Sequence, residues 1–451
     1  MSFIKNKFIK NVFILAGSTA LAQGITFAFL PLLTRLYTPN DFGILAIYVS
    51  FVGVFSAAAC LRLDIAIPLA KGRQEAQSLL MLSIIFCFMT SIISTGIIYG
   101  IIIFSSTASN IAKLKPYFWL IPLGVLTAGL YSSLQFYAIK ESQFKKVAKT
   151  RLWQSICGVA IQVSIGLLGF LNAFGLIFGQ MVSGGAGILS LSQGVLNIKV
   201  LRIFISRRVR MAFVLIKYKN FLKYSTIESL ANSASIQVPI ILIFMYSSVS
   251  EAGYIMLAMK MMQVPMRLVG ASIGQVFLSQ AAEENRLKRL DQFVMRSINS
   301  LIKAGCGPII FIGMLAPYFV PYIFGSSWVR AGAIVIWMTP WFVVQFLVSP
   351  IAMVLHVTEN QKTALYLQIS GLLIRVLAVV LPVTFSLGYM VESYAVSGFI
   401  FYLLYLSKVL SAVNINLYDL LVFLKKSFLH VGFWIACGVL LIQIIFWLSH
   451  L

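Results

Sequence analysis

Only 10% of the 451 residues are charged, 60% are hydrophobic, and the formal net charge is +23. Soluble globular chains are about one quarter charged, so this composition excludes an ordinary soluble protein. The apolar residues form blocks of about 20 or more, long enough to cross a bilayer as helices. Because the period-two alternation of a membrane barrel is missing from these blocks, the composition predicts an all-α polytopic membrane protein.

Thirteen apolar blocks follow one another along the chain, and each predicts one membrane-spanning helix. We place these spans at 12–34, 43–69, 78–104, 116–138, 150–171, 173–196, 224–247, 252–280, 297–324, 331–356, 363–386, 391–412 and 430–449.

The basic residues predict the orientation of these spans. If the N-terminus lies in the cytoplasm, the only Lys and Arg on the outer side are Arg35, Lys113, Lys115 and Arg330, out of 35 in the chain. The positive-inside rule therefore predicts a cell inner (cytoplasmic) membrane protein with a cytoplasmic N-terminus. The net charge then reflects topology and attraction to membrane lipids, so we predict no nucleic-acid partner.

Two halves of six spans repeat one another in sequence. Asp41-Phe42-Gly43 opens the second span as Glu251-Ala252-Gly253 opens the eighth, and Val182-Ser183-Gly184 is echoed by Val396-Ser397-Gly398. Six is an even number, so the repeats are parallel, as in several transporter folds. We predict an N-terminal six-helix lobe (1–196), a basic cytoplasmic linker (197–223), a C-terminal six-helix lobe (224–413), and a surface segment with an additional transmembrane helix (414–451).

Polar residues inside the spans are candidates for a transport site. In the eighth span Lys260, Gln263 and Arg267 share one helical face, and two stacked cations there favour a hydrated cavity that accepts negative charge. Gln23 lies on a polar stripe of the first span, with Thr19, Thr26 and Thr34. Arg375 in the eleventh span is a further buried-charge candidate.

Three charged candidates lie nearer to the span ends, and each has an alternative explanation. Arg62 in the second span could bind substrate or could extend to the lipid headgroups. Asp64 could couple an ion or pair with a loop cation. Glu228 at the start of the seventh span could also couple an ion, or could only complement the helix dipole.

Signatures of catalysis are missing from the sequence. It contains no HExxH, no GxxxxGK[ST], no GxSxG and no paired-cysteine zinc pattern. We therefore predict that the protein is not an enzyme, with no catalytic residues, no metal site and no cofactor.

Two segments carry a family resemblance. FLPLLTRLYTPNDFG, from Phe29 to Gly43, and the stretch from Phe324 to Thr363, with its FGSSW, AG, later Pro and polar turn, follow one another in the order of a known family. They resemble bacterial polysaccharide repeat-unit (O-antigen or capsule, Wzx-type) flippases of the multidrug/oligosaccharidyl-lipid/polysaccharide exporter superfamily. The resemblance covers the chain from about residue 8 to 413.

The resemblance implies two six-helix bundles, a V-shaped cavity and alternating access. It also implies the substrate, an undecaprenyl-diphosphate-linked oligosaccharide moved from the cytoplasmic to the outer leaflet, with a polymerase and a chain-length regulator as pathway partners. By position, the family's cationic cavity corresponds here to Arg35, Arg62, Lys260 and Arg267.

Three other functions remain open from the sequence. A multidrug or cation exporter of the same superfamily often carries a carboxylate in its first span, which this chain lacks. A polysaccharide polymerase or ligase needs large outer loops, and the longest here, Ser105 to Lys115, is short. A scaffold protein would not need the buried charges of the eighth span.

Overall fold

In the computed structural model the described residues are 2–104, 109–169, 172–193, 208–266, 277, 280–281, 283–358 and 360–449. Their regular structure is helical throughout. The chain divides into two compact units, Met1–Gly253 and Tyr254–Leu451. The predicted lobe boundaries at 196, 224 and 413 stay a prediction, and residues 194–207, which include the first part of the linker, lie outside the described residues.

The helices of the first unit cover most of the residues of its predicted spans, with breaks inside some of them. They are α1 (Ser2–Ala28), α2 (Leu30–Leu36), α3 (Pro39–Ala58), α4 (Arg73–Phe104), α5 (Ser109–Ala112), α6 (Leu120–Lys140), α7 (Phe144–Leu167), α8 (Ala173–Gly185), α9 (Ile188–Ser192), α10 (Arg208–Lys217), α11 (Thr226–Tyr246) and α12 (Val249–Pro265), which continues into the second unit.

The second unit contains the remaining helices. They are α13 (Leu290–Leu301), α14 (Gly307–Phe324), α15 (Val329–Ile351), α16 (Val354–Val357), α17 (Gln361–Thr384), α18 (Met390–Ser411) and α19 (Leu417–Ser449). A π-helical turn, Ile302–Cys306, joins α13 to α14, so these two helices form one long element. Trp434 of α19 packs edge-on against Phe311 of α14, which attaches the last helix to the unit.

Ten helical segments of the described residues are long and apolar enough to span a membrane, or eleven if the bent pair Asn110–Tyr117 and Leu120–Lys140, with its 62° angle, counts as one span. These eleven correspond to eleven of the thirteen predicted spans. The predicted fifth and eighth spans overlap α7 and α12, which are helical but do not meet that criterion over the described residues. In α7 the first turns carry Lys145, Lys146 and Lys149, and the structure describes α12 only as far as Pro265 and one further residue.

The predicted second span, 43–69, is wrong at its C-terminal end. Helix α3 begins earlier, at Pro39, where Thr38 and Asp41 form a capping box. It ends at Ala58, and residues 59–66 form turns followed by the short 3₁₀ helix Ile67–Leu69. The apolar composition of 59–69 predicts continued helix, but the backbone there forms a series of turns, each closed by a hydrogen bond to the residue three positions earlier.

Both units pack equivalent spans in the same way. In the first unit α4 packs on α6, α6 on α8, and α7 on α8; in the second unit α14 packs on α15, α15 on α18, and α17 on α18. These are the third, fourth, fifth and sixth spans of each predicted repeat. The shared neighbour pattern is what a parallel six-span repeat requires.

The helix α10 follows the undescribed part of the linker and lies against α4. Val214 and Tyr218 are buried, whereas Phe213 is 66% and Ile216 is 67% exposed. Lys217 donates a hydrogen bond to Glu75 of α4, and this contact raises the pKa of the lysine above its ordinary value. An exposed apolar face beside basic residues is typical of a helix that lies along a membrane surface.

Candidate functional site

The irregular segment 59–70 between α3 and α4 contains two of the predicted site residues, Arg62 and Asp64. Leu61 and Arg62 both have a positive φ, 47° and 58°. This left-handed conformation costs non-glycine residues about 1–3 kcal/mol each and persists only where the surroundings hold it.

Contacts from two neighbouring helices hold this segment. Thr90 of α4 donates its hydroxyl to the carbonyl of Ala59 at 3.2 Å. Lys140, the last residue of α6, donates its ammonium to the carbonyls of Pro68, at 3.0 Å, and Ala70. Side chains then bind the backbone carbonyls that a helix would have satisfied, as an irregular segment within a membrane bundle requires.

Asp64 is 6% exposed, and one of its oxygens has a partner. The hydroxyl of Ser132, on α6, donates to Oδ2 at 2.6 Å. Within the described residues Oδ1 of Asp64 is buried without a hydrogen-bond partner, and so is Nε of Arg62. The structure therefore places a buried, half-satisfied carboxylate two residues from a half-buried guanidinium.

The other predicted residues of the first unit are more accessible. Arg35 is exposed in the last turn of α2, Gln23 is half-buried on α1, and Glu228 is exposed in the first turn of α11. Within the described part of this unit, no hydrogen bond or ion pair joins any two of Gln23, Arg35, Arg62, Asp64 and Glu228.

The threonine hydroxyls of the stripe beside Gln23 form hydrogen bonds largely within their own helices. The hydroxyls of Thr19, Thr26 and Thr34 donate to the carbonyls of Leu15, Ala22 and Pro31, three or four residues earlier. Thr19 also accepts a hydrogen bond from Arg151 of α7. These residues therefore contribute to helix packing, which is a common use of small polar side chains in membranes.

Lys260 and Gln263 lie one turn apart on the part of α12 that belongs to the second unit. Both are half-buried and both interact with neighbouring groups. Arg267 lies outside the described residues. The predicted stripe is thus described for two of its three members.

Arg375 on α17 is 2% exposed and sits among aromatic rings. Its guanidinium carbon lies 4.5 Å from the ring centre of Phe401, 5.4 Å from Trp341 and 5.7 Å from Tyr402. Desolvated contacts between a cation and an aromatic face contribute about 2 kcal/mol or more. This cluster, which we call the aromatic box, was not predicted from the sequence because its rings come from α15 and α18.

Glu392, in the first turn of α18, is a second group that the sequence analysis missed. It is 8% exposed, and its Oε1 lies 2.7 Å from Nη2 of Arg330 on α15. The predicted twelfth span begins at 391, so an acidic residue at its edge could have been noticed there.

We expect Arg330→Ala to destabilise the second unit by about 1–3 kcal/mol, because it leaves a buried charged acceptor without its partner. The thermal unfolding midpoint of the purified protein in detergent should fall by a few degrees. Arg296→Ala, which removes an exposed cation of the same unit, should leave the midpoint unchanged. The exchange Arg330→Glu with Glu392→Arg should recover part of the loss, and equal midpoints for all four proteins would contradict this reading.

The sequence profile of one protein family matches the chain over residues 32–333, and that family is described as polysaccharide biosynthesis protein. The matched region covers more than half of the chain. The chain belongs to the polysaccharide biosynthesis protein family. None of the curated proteins matches it.

Solved structures show that this family member has the fold of a known transporter superfamily. The lipid II flippase MurJ, in an inward closed conformation, is 12% identical with a TM-score of 0.65, covering 98% of this chain and 99% of its own. An inward-facing multidrug resistance MATE family transporter of the MOP superfamily is 16% identical with a TM-score of 0.56, covering 89% and 96%.

A third match shares the same architecture. It is a MOP superfamily transporter from Pyrococcus furiosus, described by the reverse polarity of its binding pocket, at 15% identity and a TM-score of 0.51, covering 90% of this chain and 97% of that one. The predicted fold class, an all-α polytopic membrane protein with the MOP flippase fold, is confirmed. The three matched structures are a lipid II flippase and two transporters.

Proposed function

We propose that the protein is a flippase that moves undecaprenyl-diphosphate-linked oligosaccharide repeat units from the cytoplasmic to the outer leaflet by alternating access. The observation that carries this proposal is the match to the polysaccharide biosynthesis family over residues 32–333 in a chain with the MOP fold. Export of a sugar polymer requires its lipid-linked units to cross the membrane. The polymer would be O-antigen, capsule or exopolysaccharide, and the location the cell inner membrane.

The proposed substrate-binding residues are the cations Arg35, Arg62, Lys260 and Arg267, with the amides of Gln23 and Gln263. An ionised side chain in the middle of a membrane helix costs about 2.5–3.5 kcal/mol, so each cation within a span needs a compensating anion or water. A diphosphate supplies at least two negative charges and several acceptor oxygens. Arginine and lysine are the side chains best suited to bind them.

A multidrug or cation exporter is the second candidate, because MATE transporters share the fold. Charge argues against it in this chain. Residues 1–36, which contain α1 and α2, include no Asp or Glu, and Arg35 is a cation. Organic cations are repelled by cationic sites and attracted by carboxylates, so an anionic cargo fits these residues better.

We expect Lys260→Ala to slow flipping about tenfold or more, because a hydrogen bond to a charged group contributes about 1.5–3 kcal/mol and 1.4 kcal/mol corresponds to tenfold. The assay measures how fast lipid-linked oligosaccharide in sealed right-side-out vesicles becomes accessible to membrane-impermeant periodate. Lys260→Arg should retain most of the rate.

Lys362→Ala is the matched control, because Lys362 is an exposed lysine at the start of α17. It should flip at the normal rate. Normal export by a Lys260→Ala, Arg267→Ala double variant would contradict the role given to these cations. If the unmodified protein left the oligosaccharide inside while transporting organic cations, the exporter would be the correct assignment. Association with a polymerase and a chain-length regulator is part of the same proposal, to be tested by co-purification.

A further inference from the structure

Asp64 lies well inside the bundle. Its partner Ser132 stands eight residues before Lys140, where α6 ends. At 1.5 Å per residue this is about 12 Å from the end of the helix. Buried around Asp64 in the same segment are Leu63, Ala66 and Ile67, each 0% exposed. The carboxylate therefore lies in a buried part of the bundle, away from the end of α6.

The hydrogen bonding of this carboxylate is incomplete. An ionised carboxylate can accept about four hydrogen bonds, and Asp64 receives one from a side chain, on Oδ2. Its Oδ1 has no hydrogen-bond partner among the described residues and is shielded from solvent. A buried charge in this state is costly unless a cation pairs with it or a proton neutralises it.

Other polar groups lie near this region, and none of those in the described residues donates a hydrogen bond to Oδ1 of Asp64. Lys140 is bonded to the carbonyls of Pro68 and Ala70. Cys60 contacts the hydroxyl of Ser133 at 3.2 Å, and Cys87 on α4 donates to the carbonyl of Leu126 at 3.5 Å. Arg62, on the same strained turn, is half-buried and forms no ion pair within the described residues.

We infer that Oδ1 of Asp64, with Ser132 on the second oxygen, binds a monovalent cation, H⁺ or Na⁺. Among the described residues no group of three acidic, histidine or cysteine side chains could hold a multivalent metal. The one carboxylate of Asp64 can therefore balance a cation of single charge. The geometry also separates Asp64 from Glu228, since Glu228 is exposed to its surroundings and has no need of a bound cation.

A cation bound at Asp64 would affect transport, and this effect rests on the proposed function. Loading the site removes a negative charge two residues from Arg62, one of the proposed diphosphate ligands. Cation and anionic substrate would then bind with positive coupling, and each would raise the affinity for the other by the same factor.

The test measures binding in the full-length protein in lipid nanodiscs without any oligosaccharide, so it is independent of the flippase proposal. For H⁺, infrared difference spectra between acidic and alkaline buffer should show the C=O stretch of a protonated carboxylic acid that is lost in Asp64→Asn. For Na⁺, sodium chloride should raise the thermal unfolding midpoint relative to choline chloride, and Asp64→Asn should abolish this rise.

Two further variants keep the result interpretable. Asn has the size of Asp and can still accept from Ser132, so Asp64→Asn should elute from size-exclusion chromatography like the unmodified protein. Ser132→Ala retains the acid, and it should weaken the infrared band or the response to sodium without abolishing either. Asp291→Asn, at an exposed acid of the second unit, should change neither measurement.

Either response, if it depends on Asp64, supports the site and identifies the ion. The inference is overturned if neither the infrared band nor the sodium response depends on Asp64, or if the response disappears in Glu228→Gln and survives in Asp64→Asn. A protein that binds the ion in this way but does not flip oligosaccharide would overturn the proposed function and leave the ion site standing.

Discussion

Replacing Gly43 by alanine is expected to disrupt the contact between the first turns of α3 and α12. A Cβ atom at position 43 would lie 2.8 Å from the carbonyl carbon of Val249 and closer still to its oxygen. Backbone atoms cannot rotate away as a flexible side chain can, so the helix ends must separate. Overpacking of this kind costs about 1–3 kcal/mol. We expect the thermal unfolding midpoint to fall by several degrees and transport to fall with it.

The contact is reciprocal, because Gly253 on α12 approaches the backbone of α3 about as closely as Gly43 approaches that of α12. A Cβ atom at Gly253 would lie 2.9 Å from the backbone nitrogen of Gly43 and closer still to the carbonyl oxygen of Pro39. Gly253→Ala should therefore act like Gly43→Ala. Because each variant opens the same contact, the double variant should lose less stability than the two single losses together, a coupling of about 0.5–3 kcal/mol.

Gly96→Ala is the matched control for both variants. Gly96 lies within α4, and a Cβ atom there would meet nothing within 4 Å. This substitution should be neutral or slightly stabilising, because glycine is unfavourable in a helix interior by about 0.5–1 kcal/mol relative to alanine. Strictly additive losses, or an unchanged midpoint in Gly43→Ala, would show that the two helix ends do not depend on this approach.

The second large effect is expected at Arg375. Arg375→Ala should destabilise the second unit by about 3–5 kcal/mol, because it removes a large buried side chain from the aromatic box together with its cation–π contacts. The measurement is the unfolding midpoint in detergent, followed by tryptophan fluorescence, since Trp341 forms one wall of the box.

Replacing Arg375 by lysine or by methionine separates the contributions of charge, ring stacking and side-chain volume to stability. Arg375→Lys keeps the charge but lacks the planar group that stacks on Phe401, so it should remain well below the unmodified protein. Arg375→Met keeps most of the volume without the charge and should lose less than alanine. If Arg375→Ala folded with an unchanged midpoint, the box would have no structural role.

The spans could be predicted from the sequence because every apolar block inside the hydrocarbon must satisfy its own backbone hydrogen bonds. A stretch such as 363–386 must form a helix to satisfy its own backbone, and the structure has α17 there, from Gln361 to Thr384. The segment 59–69 is equally apolar, but its backbone forms short-range turn hydrogen bonds, and side chains of Thr90 and Lys140 bind carbonyls at its two ends. Those contacts depend on the positions of α4 and α6, which no local pattern contains.

Only part of the candidate site could be predicted, because its contacts also depend on residues far apart in the sequence. Arg62 and Asp64 stand out as charges within an apolar block, and the structure places Asp64 in the interior. Ser132 does not stand out, because serine is common in membrane helices, and its bond to Asp64 joins residues 68 positions apart. The aromatic box likewise brings together side chains from three helices of the second unit.

The reciprocal approach of Gly43 and Gly253 has the symmetry of a dimer interface, although both glycines belong to one chain. Gly43 meets the residue four positions before Gly253, and Gly253 meets the residue four positions before Gly43. Two identical subunits related by a two-fold axis make contacts of this kind. The seam between α3 and α12 therefore requires glycine at both positions, since a side chain at either one opens the same contact.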